Sequence, residues 1–112
     1  MIIVRSLLLL GLVLVAPAFA EEGGATIYGA GAVSCGQWQK DLAIRVQAEA
    51  WIDGFLSGYN LASTGPDFLA DTPNDNGASF YIWIDNYCRS NPIDRLTTAV
   101  FALKNELLSR AR

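Results

Sequence analysis

Three sets of residues in this 112-residue chain are of types that do chemistry. They are the cysteines Cys35 and Cys88, the aspartates of Trp51-Ile-Asp53-Gly-Phe and Trp83-Ile-Asp85-Asn-Tyr, and an acid-rich stretch from Thr64 to Gly77 that holds Asp67, Asp71 and Asp75. Two carboxylates across a cleft can divide general acid and base work, as in glycosidases, when their surroundings separate their pKa values. Asp53 and Asp85 fall on separate amphipathic segments, where acids are ordinarily solvated charges, so no catalytic residue is assigned. The acidic stretch offers oxygen ligands of the calcium kind. Registering Asn76-Gly77 on positions five and six of an EF-hand loop, however, puts Thr72 at position one and Trp83 at twelve, where Asp and Glu are required. With no histidine in the chain, there is no unperturbed side chain that titrates near neutrality, no imidazole for a triad and no usual zinc ligand set. Binding is expected rather than catalysis, without metal or cofactor.

What the cysteines do depends on the compartment, and the N-terminus speaks to that. Arg5 precedes an apolar run from Leu7 to Val15 broken only by Gly11, and Ala18-Phe-Ala20 sets small residues where a signal peptidase reads. A membrane span needs about 20 apolar residues, whereas Pro17 and Glu21-Glu22 follow too soon. Residues 1–20 are read as a cleaved signal peptide, the protein as periplasmic or secreted, and membrane insertion after cleavage as absent. The remaining 92 residues suffice for one small domain. In an oxidising compartment, an even cysteine count reads as one disulfide, Cys35 to Cys88. The competing readings are two free thiols or a redox pair, and the spacing contains no Cys-x-x-Cys. Arg5 leaves with the signal peptide, so seven of the eight basic residues remain against eleven acids, a formal net charge of −4. Nucleic acid requires a basic patch and is not expected as a partner.

The elements that position these residues are helical. Residues 21–33 are glycine-rich without a usable period and read as a flexible leader, followed by a helical domain over 34–112. Ser34 is a possible N-cap for a first helix over Cys35 to Ala43, and Arg45 to Ala62 makes a longer second one. Whether the two are continuous or kinked near Ile44 stays open. On the second helix, Ala50, Gly54, Gly58 and Ala62 form a small-residue ridge, and Trp51, Phe55 and Tyr59 an aromatic row beside it. Two interior glycines cost about 1 kcal/mol each relative to alanine, which predicts close packing of the ridge, within the fold or against a partner helix. Turn residues make Thr64 to Gly77 a loop. There Phe68 and Leu69 either contact a partner or tuck onto the core. A third helix from Ser79 to Arg89 carries Phe80, Trp83, Ile84, Tyr87 and Cys88 on one face. Asn91 as N-cap and Pro92 at the first helical position predict a fourth, with Ile93, Leu96, Val100, Leu103 and Leu107 as its apolar stripe and the basic Arg110-Ala-Arg112 at its end. The expected fold is all-α, a small bundle of about four helices stapled by one disulfide.

Cys35-Gly-Gln-Trp38 at the start of the first helix, the aromatic-rich middle helix, and Tyr87-Cys88-Arg-Ser-Asn-Pro92 resemble the HdeA/HdeB class of small periplasmic acid-stress proteins over residues 34–108. The resemblance implies one disulfide, mapped onto Cys35 and Cys88. It also implies an ATP-independent chaperone, held as a folded homodimer at neutral pH and opened by strong acid toward unfolded periplasmic clients. Trp51, Phe55, Tyr59, Phe80, Trp83 and Tyr87 are then the client-binding residues. Neutralising eleven acids below about pH 3 moves the net charge from −4 toward about +7, which strains a compact state. One departure from that class is the scarcity of lysine, with only Lys40 and Lys104. Gly54-Phe-Leu-Ser-Gly58 is also similar to small periplasmic immunity proteins that neutralise type VI secretion amidase effectors. That similarity implies a single toxin partner, contacted through the loop from Asp67 to Asp75. A structural envelope protein is the third expectation.

Overall fold

Asp41 divides the first helical stretch in two. Its backbone is extended (φ −107°, ψ 105°), and its carboxylate accepts the Ile44 N–H at 3.1 Å, which caps a new helix and ends the old one. The computed structural model, which describes Gly11 and residues 25–111, therefore has α1 at Cys35–Lys40 and α2 at Leu42–Ala62. The predicted helices over 35–43 and 45–62 are corrected accordingly, with the break three residues before Ile44. Ser34 caps α1 as expected, in a reciprocal box with Gln37. Two further helices, α3 (Ala78–Ser90) and α4 (Leu96–Arg110), complete an all-α bundle without strands among the described residues. The signal-peptide reading of 1–20 and the start of the leader lie outside the described residues, Gly11 apart.

The fourth helix starts later than its local signals indicate. Asn91 closes α3 instead of opening α4: its N–H donates to the Cys88 carbonyl and its amide to that of Tyr87. Residues 92–96 spend their backbone groups on residues 33–36, at the start of α1. Gly36 N–H donates to Pro92 C=O at 3.2 Å, Cys35 N–H to Asp94 C=O at 2.8 Å, and Leu96 N–H to Val33 C=O at 2.8 Å, around an antiparallel Ser34–Arg95 bridge. A cap signal is local, and here partners about sixty residues away in sequence outcompete it. Ile93, expected in the apolar stripe of α4, is consequently 92% exposed.

The leader is also more structured than its glycines suggest. Gly29–Ala32 form a 3₁₀ turn whose Gly31 carbonyl accepts the Thr97 hydroxyl. This turn packs on Trp51, so the flexible-leader expectation fails for residues 29–33. The core collects Trp38 from α1, Ala48, Ile52 and Leu56 from α2, Phe68 from the loop, Ile84 from α3, and Leu96, Ala99, Val100, Leu103 and Leu107 from α4. Cys35 and Cys88 are bonded and fully buried within it, with Cα atoms 5.0 Å apart.

Candidate functional site

The aromatic residues assigned to partner binding separate into two strips. On α2, Trp51 stacks on Phe55 (centroids 5.4 Å, interplanar angle 7°), and Phe55 continues to Tyr59 and across to Phe101 of α4 at 5.3 Å. The Lys104 ammonium lies 4.4 Å from the Tyr59 ring centroid, a cation–π contact at the strip's edge. On α3, Trp83 stacks on Tyr87 at 5.9 Å, while Phe80 and Trp83 face the 64–77 loop and the end of α4. All six expected residues are thus accounted for, but not on one surface. Five of them are half-buried, and Tyr59 is 39% exposed. Sequence reasoning missed Phe101. Its place on α4 follows from the predicted stripe, since it is offset by one residue from the buried Val100 and so projects beside the core.

Trp51 is fixed from the leader side. Its indole N–H donates to the Tyr28 carbonyl at 3.0 Å, and its ring covers Gly31. A β-carbon built on Gly31 would lie 2.3 Å from Trp51 Cε2 and Cζ2. Gly31→Ala is therefore expected to displace the indole and cost about 1–3 kcal/mol, the range for overpacking. Urea denaturation and tryptophan fluorescence check this, and an unchanged midpoint would refute the close contact.

The small-residue ridge behaves oppositely to its expected close packing within the fold. Ala50, Gly54, Gly58 and Ala62 all face solvent, and a β-carbon on Gly54 or Gly58 would meet nothing within 4 Å. The helix turns them outward because Ala48, Ile52 and Leu56 occupy its inner face. With open space at both positions, Gly54→Ala and Gly58→Ala should each stabilise the monomer by about 0.5–1 kcal/mol through helix propensity. Chemical denaturation measures the gain, and a loss of stability would mean that the bare backbone is in contact after all.

Asp53 and Asp85 serve separate partners rather than one cleft. Asp85 receives a bidentate ion pair from Arg45 at 2.8 and 3.0 Å and the Trp38 indole N–H at 2.8 Å. Arg45 also reaches Glu49 and lies 4.2 Å from the Trp38 ring centroid. The hydrogen bonds to Asp85 raise the Arg45 pKa further and keep the guanidinium charged. Asp53 accepts the Tyr81 hydroxyl with both oxygens at 2.8 Å. Burial first, and that hydrogen bond second, push the Tyr81 phenol well above its ordinary value. In the loop, Asp75 accepts from the Ser79 hydroxyl, which holds its carboxyl below the usual range.

These two shifts act on opposite limbs of the pH profile. Tyr81 is kept protonated by the fold, so its contribution is full below about pH 10 and is lost as the pH rises beyond that. Asp75 is kept ionised, so its contribution is present above about pH 4 and is lost in stronger acid. Tyr81→Phe should flatten the alkaline fall in stability, measured by urea denaturation between about pH 9 and 11, and an unaltered slope would contradict the assignment.

The 64–77 loop places Phe68 in the core at 3% exposure, with its N–H donating to Asn60, while Leu69 is half-buried. The loop is thereby fastened to α2 without presenting either side chain as an exposed anchor. Among the described residues, no cluster of metal-ligating side chains occurs, and no helix is long and apolar enough to cross a membrane. No family model, curated protein or solved structure matches the chain.

Proposed function

We propose that this protein is an exported, acid-responsive holding chaperone that binds apolar segments of unfolded clients through its aromatic strips. One observation carries the reading. Among the described residues, every side-chain to side-chain hydrogen bond tying α2 to α3 or to the 64–77 loop ends on a carboxylate: Arg45 on Asp85, Tyr81 on Asp53, and Asn60 on Asp67. Strong acid removes carboxylate charge and so weakens ties of this kind, while the rising positive charge pushes the helices apart. The surface then uncovered between α2 and its neighbours is the strip of Trp51, Phe55 and Tyr59 with Phe101. In this reading the resting protein is a homodimer in the periplasm, and the disulfide limits how far the acid form expands. A toxin inhibitor would instead require a rigid surface with exposed hot-spot residues at neutral pH. The burial of Phe68 argues against the loop in that role.

The test takes the oxidised protein from pH 7 to pH 2 with an aggregation-prone client and follows light scattering. Suppression of aggregation is expected only below about pH 4, together with binding of a dye that reports exposed apolar surface. Absence of suppression at every pH would overturn the proposal.

A further inference from the structure

A second apolar surface remains at neutral pH, independent of any acid opening. Between the 64–77 loop, α3 and the end of α4 lies a cavity of about 320 Å³ floored by Phe68, Phe80, Trp83, Leu103 and Leu107. That volume is at the lower end of ligand-binding clefts and holds one or two bulky apolar side chains. The mouth is anionic. Asp71, on the rim, has no hydrogen bond or ion pair to another described residue. Asp67 uses Oδ1 to accept from Asn60 and the Leu69 N–H, which fixes the carboxylate and leaves Oδ2 for a ligand. Arg110 is at the rim too, but its charge is matched by Glu106 one turn earlier, at 2.8 Å. The carbonyl end of α4 adds partial negative charge at the same place. Arg112 follows in the chain and lies outside the described residues.

We infer that this groove docks a peptide segment in which a bulky apolar side chain is flanked by lysine or arginine. The apolar side chain fills the floor against Trp83 and Leu107, and the flanking cations meet Asp71 and Asp67. Charge complementarity selects this occupant over an acidic or uncharged apolar segment, because the carboxylates at the mouth disfavour the first and gain nothing from the second. The proposal does not rest on the chaperone reading, since it concerns the folded protein at pH 7.

Three capped pentapeptides test it, with Lys-Leu-Lys, Glu-Leu-Glu or Lys-Gly-Lys between glycines, titrated into the folded, disulfide-bonded protein while amide and indole resonances are followed by NMR. The Lys-Leu-Lys peptide should produce saturable shifts centred on Phe80, Trp83 and Leu107, and the other two should bind more weakly. Asp71→Asn should weaken its binding about threefold, the scale of an exposed ion pair, and Asp71→Lys further. Equal binding of Glu-Leu-Glu would overturn the charge argument, and equal binding of Lys-Gly-Lys would reduce the site to an acidic surface. No saturable shift, or shifts confined to other faces, would overturn the groove itself. Because the titration is done at neutral pH, its failure leaves the acid-dependent activity standing, and the reverse holds equally.

Discussion

Removing the Cys35–Cys88 bridge is expected to lower the stability of the domain by about 4 kcal/mol, the loop-entropy value for cysteines 53 positions apart. Domains of this size have roughly 5–15 kcal/mol in all, so the bridge is a large share of the margin. Its position adds to the effect. It joins the first residue of α1 to the last turn of α3, beside the Ser34–Arg95 bridge, so residues 33–34, α1 and α3 are held at one point. The Cys35→Ala/Cys88→Ala pair is the better variant, because a serine at either buried position would add a hydroxyl needing a partner. The melting temperature should fall by roughly 20 °C for a domain of this length. A melting temperature unchanged by reduction of the wild-type protein would show that the bond is not formed in solution. The consequence for function follows from chain order: α2 and the 64–77 loop lie inside the closed covalent loop, and α4 lies outside it. In acid, the oxidised protein would keep α1 fastened to α3 while α2 moves away, whereas the reduced protein would unfold.

The bundle was legible in the sequence because its signals are local and repeated. The period of Leu96, Val100, Leu103 and Leu107, the turn residues before Gly77, and the even cysteine count each point to the element that is found. What the sequence did not disclose depends on partners distant along the chain. Asn91-Pro92 has the form of a helix start, yet residues 92–96 pair with residues 33–36, and no local pattern reports such a pairing. The glycines at 29 and 31 read as flexibility because Gly29 is set by a left-handed backbone (φ 78°) and the indole that leaves no room for a side chain at Gly31 lies twenty positions on. The opposite error attaches to Gly54 and Gly58, where a ridge that suggests close packing faces solvent. For the aromatic residues, the helix that carries each could be read from spacing, while their division into two strips and the addition of Phe101 could not. Whether Phe55 or Trp83 faces a neighbour depends on how α4 passes between them, which is set by the whole core.

Trp38→Ala is expected to cost about 3–5 kcal/mol, the range for deleting a large buried aromatic. Trp38 is fully buried, and it does more than fill volume. Its N–H is one of the donors held by Asp85, and its face supports the Arg45 guanidinium, so the deletion leaves a cavity and also frees the pair that ties α2 to α3. Trp38→Phe separates the two effects. It keeps an aromatic face under Arg45 and loses the hydrogen bond to a charged acceptor, for an expected cost of about 1.5–3 kcal/mol plus a smaller packing loss. A double-mutant cycle with Asp85→Asn should return a coupling of about 0.5–3 kcal/mol, and a coupling near zero would mean that the indole and the carboxylate act independently. The same variant bears on mechanism. If α2 is released by weakening its carboxylate ties, then Trp38→Phe, which already loosens the Asp85 cluster, should hold clients at a higher pH than the wild-type protein does. An onset of activity at an unchanged pH would place the release elsewhere, at Asp53–Tyr81 or Asn60–Asp67, and Tyr81→Phe then becomes the variant that shifts it.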